Sequence, residues 1–184
     1  MSDPATKLCE RAQAGDMEAA SELVAQFYER LYAWFRRLTG HDQDAADLTQ
    51  KTFGKVWTSL GSYQGRSSFS TWLHGIGHHV YVDWRRRNSP TEQPSDEWWL
   101  TCADERPSPS DATADREQAH QLYALVERLD PDTRQTVHLH YYQGLSLAET
   151  AEVLGIATST VKYRLREAIE FLRARTAEPK LGTR

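Results

Sequence analysis

The sequence predicts an all-α protein made of two small helical domains joined by a flexible linker. Three observations predict it. Apolar residues recur at helical spacings through residues 1–88 and again from Arg116 onward. Between these stretches the periodicity collapses, and Pro90, Pro94, Pro107 and Pro109 are mixed with Ser, Thr, Asp and Glu. The first 88 residues lack the alternation of a strand. A chain of 184 residues has room for two modest cores. The expected division is a first domain at 1–88, an acidic Pro/Ser-rich linker at 89–116, a second domain at 117–177 and a tail at 178–184.

Taken in order, Leu8 and Ala12 belong to a first helical segment that stops at Gly15, where Asp16 can cap the next. That second helix carries Ala20, Leu23, Val24, Phe27, Leu31, Trp34, Phe35 and Leu38 on one broad face and ends at Gly40-His41-Asp42. A third helix follows from Asp44, with Ala45, Leu48, Phe53, Val56, Trp57 and Leu60 in helical register. Gly61 and Gly65 break it. Phe69, Trp72, Leu73, Ile76, Val80 and Trp84 then mark a fourth, which runs into Arg85-Arg86-Arg87.

In the linker, adjacent Trp98 and Trp99 with Leu100 would be costly in solvent, so they are expected to dock on a domain or a partner. Helical spacing resumes with Ala119, Leu122, Leu125, Val126 and Leu129. Asp130-Pro131 starts a helix to Tyr142, an N-cap followed by proline at the first helical position. Ser146 and Glu149 form a capping box for a helix to Leu154. Gly155 supplies a turn, Ile156 a plug, and a long helix runs from Thr158 to about Arg175. That pair has the logic of a helix-turn-helix. Val161, Leu165, Ala168, Ile169 and Leu172 anchor the second helix, and Thr158, Ser159, Lys162, Tyr163 and Arg166 face outward near its N-terminus, where base edges are met.

The net charge of -4 hides a division along the chain. Residues 61–88 carry 4 basic and 1 acidic side chains, residues 131–184 carry 8 and 6, and residues 89–130 carry 3 and 10. Local sign rather than the total steers a phosphate backbone, so a nucleic-acid partner stays open. No apolar run reaches the ~20 residues that span a bilayer, and MSDPATKLCERAQ holds no signal-peptide core, so no membrane insertion and a cytoplasmic location are expected. Cys9 and Cys102 form neither a metal-ligand spacing nor a disulfide framework. His74 and His78 at i, i+4, with His79 and Asp83, could bind zinc. No HExxH glutamate and no second ligand cluster accompany them, and histidines beside arginines fit phosphates better. No catalytic residue, metal or cofactor is expected.

DLTQKTFGKVW, followed by FSTWL and DWRRR, closely resembles the core-binding and promoter-melting region of bacterial sigma factors of the extracytoplasmic-function (ECF) group. LDPDTRQTVHLHYYQGLSLAETAEVLGIATSTVKYRL resembles the −35-reading domain of the same group. The two matches stand in the family's order and together cover about four-fifths of the chain. A helix-turn-helix regulator of another class remains the alternative. It should carry a receiver or ligand domain, which the first 88 residues do not suggest.

The resemblance implies a subunit without catalysis that recruits core RNA polymerase, through the β′ clamp helices and the β flap, to promoter DNA. Many relatives are held inactive by an anti-sigma protein. Asp44, Asp47, Leu48, Gln50 and Phe53 fall on the family's clamp-binding pattern DAxDLxQxxF. Ser62 to Ser68, with Tyr63, Arg66 and Ser67, match the loop that holds a flipped −10 base, and His78, His79, Arg85 and Arg86 follow on the same −10 side. Thr158, Ser159, Lys162, Tyr163 and Arg166 correspond to the −35 contacts. Lys51 stands where an acidic residue is usual. Gly75, Gly77, His78 and His79 replace arginine, alanine and an Arg-Asn pair, and Glu167 and Ile169 replace frequent arginines. Two glycines inside a helix, each about 1 kcal/mol unfavourable, have no explanation in the sequence.

Overall fold

A computed structural model describes residues 4–88 and 121–176. Helices α1 (Pro4–Gln13), α2 (Met17–Thr39), α3 (Asp42–Ser59) and α4 (Phe69–Arg87) form the first half. The second holds α5 (residues 121–127), α6 (Pro131–Val137), α7 (Leu147–Leu154) and α8 (Thr158–Thr176). There is no strand among the described residues. Trp98, Trp99 and Cys102 lie outside them.

The caps explain the boundaries. Asp16 accepts hydrogen bonds from the backbone N–H groups of Glu18 and Ala19, two donors that the first turn of α2 leaves orphaned. Gly40, at φ 74°, closes α2 in the left-handed conformation that glycine adopts without a Cβ penalty. Asp130 caps α6 ahead of Pro131, and the Ser146–Glu149 capping box is complete.

Two local differences from the sequence expectation stand out. Ala19 rather than Ala20 is buried in α2. Helix α6 is α-wound only to Val137; His138–Tyr142 form a π-helical turn, with Gln143 N–H donating to the His138 carbonyl at 3.0 Å. The extra residue in that turn brings Gln143 inward, where it is 3% exposed.

The first half packs α2 on α1, α3 and α4 around Leu23, Leu31, Trp34, Phe35, Leu48, Val56, Phe69 and Leu73. Leu139, Leu145 and Val153 of the second half belong to the same apolar cluster. A smaller cluster of Val126, Leu129, Val137, Ala151, Val161, Leu165 and Ala168 holds the helix-turn-helix together. The two halves are thus packed on one another, with α7 lying against α4.

Gly77 answers one of the open questions. A Cβ there would lie 2.8 Å from Trp34 Cζ3, 3.3 Å from Phe35 and 3.5 Å from Leu31, so α4 meets α2 as closely as it does because the side chain is absent. Gly75 has open space around it and gains nothing from lacking a Cβ. Gly77→Ala should therefore lower stability by about 1–3 kcal/mol through overpacking. Gly75→Ala should raise it by up to about 1 kcal/mol. Urea titration of both variants checks the pair, and equal effects would show that the close approach is not what selects Gly77.

Candidate polymerase and DNA interface

Helix α3 builds the first candidate surface. Its 3.6-residue period puts Leu48 and Phe53 inside, 1% and 7% exposed, so these two act as packing for the helix. Asp44 accepts from Trp84 Nε1 at 3.3 Å, which ties the start of α3 to the end of α4. Asp47 accepts from Gln43 Nε2 at 3.2 Å, and Gln50 and Lys51 are exposed. One residue here was assigned otherwise by the sequence. Trp57, expected on the apolar side, is exposed and stacks on Phe53 at 6.5 Å. Asp47, Gln50, Gly54 and Trp57 form one i, i+3, i+7, i+10 line, a spacing legible in retrospect.

The loop before α4 is held from beneath by α1. Gln13 Nε2 donates to the Leu60 and Tyr63 carbonyls at 2.8 and 2.9 Å. Tyr63, named with the loop as a base contact, points into the core instead. It is 7% exposed, and its hydroxyl donates to the Ser67 carbonyl at 2.8 Å, because a ring packed on Phe69 and Trp72 leaves only its tip to the loop. Ser62 donates to the Ser59 carbonyl, Arg66 is exposed and Ser67 is half-buried.

Along α4, His79 is exposed and donates from Nδ1 to the Gly75 carbonyl at 2.7 Å. Arg86 pairs with Asp83 at 2.9 Å. His78 and Arg85 face the second half: His78 Nδ1 meets Gln135 Nε2 at 2.7 Å, and Arg85 lies 3.5 Å from Asp132.

Helix α8 is positioned by Gly155 at φ 63°, whose N–H bonds back to the Ala151 and Glu152 carbonyls. Val161, Leu165 and Ala168 are buried, and Thr158, Ser159, Lys162, Tyr163 and Arg166 are all exposed on the other side. The Arg166 guanidinium sits over the Tyr163 ring at 5.7 Å. Five residues on one face thus present hydroxyls, cations and a ring at the N-terminal half of a helix, the arrangement that enters a major groove.

Among the described residues no three His, Cys, Asp or Glu side chains are placed to share a metal ion. His74 is 1% exposed and turned inward; its Nδ1–H donates to the Ser70 carbonyl at 2.7 Å and its Nε2 faces the Gln143 carboxamide at 3.3 Å. Cys9 is buried, which pushes its thiol up to about 11. No helix is long and apolar enough to cross a membrane, among the described residues.

Comparison with known proteins now bears on the chain. Residues 23–91 match the family Sigma-70 region 2, and residues 119–172 match Sigma-70, region 4. The ECF RNA polymerase sigma factor SigF of Caulobacter vibrioides is 32% identical over 167 residues, covering 90% of this chain and 89% of that protein. The chain belongs to the ECF sigma factors of the sigma-70 family. RNA polymerase sigma factor YlaC of Bacillus subtilis is 30% identical over 154 residues, covering 82% of this chain and 88% of its own.

The ECF sigma factor SigE of Mycolicibacterium smegmatis is 34% identical over 158 residues, 85% of this chain but only 61% of that protein. This chain likewise spans 61% of BldN of Streptomyces coelicolor. The fold is shared with CnrH, solved in complex with the cytosolic domain of CnrY, at a TM-score of 0.70 and 24% identity over 95% of this chain and 97% of that one.

Burial keeps three histidines neutral. His74 and His78 are each lowered from 6.5 to about 4, by burial first, with the neighbouring His79 and Arg85 charges adding to the effect at His78. Burial lowers His138 as well. Between pH 6.5 and about 4 the unfolded chain binds the His74 and His78 protons and the folded one does not, so stability falls as pH drops through that window. His74 alone should contribute on the order of 1–2 kcal/mol of that loss at pH 5. Thermal melts at pH 7 and pH 5 should differ accordingly, and His74→Gln should shrink the difference. Equal midpoints at both pH values would refute the assignment.

Proposed function

We propose that this chain is a sigma factor that joins core RNA polymerase and directs transcription initiation at promoters, without chemistry of its own. The observation that carries the reading is the pairing of two surfaces in one chain. One is the polar line Asp47, Gln50 and Trp57 on α3; the other is the exposed Thr158–Arg166 face of α8. The α3 face suits a helical protein partner, the β′ clamp helices, because it mixes charge, amide and a ring around a stiff scaffold. The α8 face suits −35 DNA, and the second domain as a whole suits the β flap.

Arg66, Ser67, His79, Arg85 and Arg86 supply the −10 side, with Ser62 and Tyr63 shaping the loop rather than reaching far from it. The names of the relatives support polymerase as the partner. An anti-sigma protein would act by covering these same faces. The site of action is the cytoplasm, where polymerase and chromosome meet.

Two variants test the two surfaces separately. Asp47→Ala with Gln50→Ala should weaken affinity for core polymerase by about 1.5–3 kcal/mol per charge-assisted bond lost, with helicity and melting nearly unchanged. Unaltered binding would remove the α3 assignment.

Lys162→Ala with Arg166→Ala should reduce promoter-specific run-off transcription. If both cations meet phosphate, the salt slope of DNA binding should flatten by about two units. If either reads a base, the loss should depend on the −35 sequence instead. Normal transcription on every −35 sequence would show that α8 faces something other than DNA.

A further inference from the structure

Helices α3 and α4 pack side by side and leave a groove between them, next to the polar line of α3. Its floor is apolar: Leu48 and Val80 are buried beneath it and Trp84 is half-buried. Its rim is cationic. Lys51, Lys55 and Arg87 are all exposed there, and none of them has an ion-pair partner among the described residues. Asp83 also lines the groove, but its carboxylate is taken up by Arg86 at 2.9 Å. Over Gly54 an added Cβ would meet nothing within 4 Å, so the α3 wall stands open. The groove holds about 530 Å³, against the ~30 Å³ that one water occupies. Large side chains fit it.

Apolar below and basic at its edge, the groove suits an occupant that combines rings with carboxylates. The sequence that follows Asn88 has both, and Asn88 itself lines the groove. Residues 89–105 carry Glu92, Asp96, Glu97, Asp104 and Glu105 and no basic residue, with Trp98, Trp99 and Leu100 in their midst. Aromatic side chains of this size bury about 150–250 Å² each when they find a partner surface. Reach is no obstacle. Trp98 follows Asn88 by ten positions, and ten extended residues span about 33–36 Å. The stretch of α4 from Arg87 back to Val80 is only about 10 Å long. Tethering also keeps the segment at an effective concentration on the order of millimolar.

We propose that the α3–α4 groove is the docking site for residues 96–100 of the same chain. Trp98 and Trp99 cover Leu48, Val80 and Trp84, while Asp96 and Glu97 meet Lys51, Lys55 and Arg87. The docked segment anchors the start of the linker on the first half. This gives Lys51 a role inside the molecule, as the complement of an acidic segment. The inference does not depend on the sigma-factor reading, since it rests on the groove, its charge and the length of chain that leaves it.

The test uses the full chain and its own Cys102, three residues past Trp99. Thr58→Cys puts a second thiol on the groove wall; Ser21→Cys puts one on an exposed turn of α2, which does not line the groove. Cys9 is buried and does not compete. In dilute protein a short bismaleimide should bridge Cys102 to position 58 about tenfold faster than to position 21. Trp98→Ala with Trp99→Ala should bring the two rates together, and so should Lys51→Glu with Lys55→Glu. Adding Asp96→Lys and Glu97→Lys to the second pair should restore the difference, which a general disturbance of the fold would not do.

Equal rates at positions 58 and 21 with the linker unaltered would overturn the docking. Bridges that join two chains rather than one would overturn it too, and would give the groove to a second copy. If the rates are equal and Lys51→Gln with Lys55→Gln weakens binding of a single-stranded oligonucleotide, the groove is a nucleic-acid surface and the docking is again overturned. A rate difference that survives removal of both indoles would overturn their part in the anchor.

Discussion

The close approach of α4 to α2 at Gly77 is the constraint on which the rest of the structure depends. With Trp34 and Phe35 filling the space a side chain would need, α4 cannot shift or rotate without losing that contact. Its other faces are thereby fixed. Phe69, Leu73 and Val80 point to the core; Ser68, Thr71, His74 and His78 meet the second half; His79 and Arg86 stay in solvent. A glycine that would weaken an isolated helix instead sets the bearing of three surfaces at once.

The contact between the halves joins a shared apolar cluster, to which Leu139, Leu145 and Val153 contribute, to a set of polar bonds around it. Here Glu149 with Thr71, Gln143 with His74 and Gln135 with His78 meet across the contact, so buried polar groups of one half find partners on the other. The apolar residues that cross the boundary, Leu139, Leu145 and Val153, add burial to this polar frame.

Much of the candidate site was legible in the sequence because it sits on helices with strong periodicity. The outward set on α8 could be read from Val161, Leu165 and Ala168 alone, since fixing three buried positions of a 3.6-residue helix fixes the remainder. The clamp-binding pattern grouped Leu48 and Phe53 with Asp47 and Gln50, and burial in the structure turns the first two into packing. Helical periodicity misplaced Trp57, because a tryptophan beside an apolar stripe reads as core until its neighbours are known. Tyr63 escaped for the opposite reason. Its loop has no period, and only the ring contacts with Phe69 and Trp72, together with the hydroxyl bond to Ser67, decide that it turns inward.

By itself the sequence determined the all-α class, the helix boundaries set by Asp16, Gly40, Asp130, Ser146 and Gly155, and the family. These are local properties: propensity, capping and spacing act over a few residues and are written directly in them. Tertiary structure alone decided why residue 77 is glycine while residue 75 has no steric reason to be, that His74 and His78 are neutral, and that Glu149 serves a second helix 78 residues away. Each depends on atoms far apart in the chain. A steric gap, a desolvated ring and a shared carboxylate exist only once those atoms are brought together.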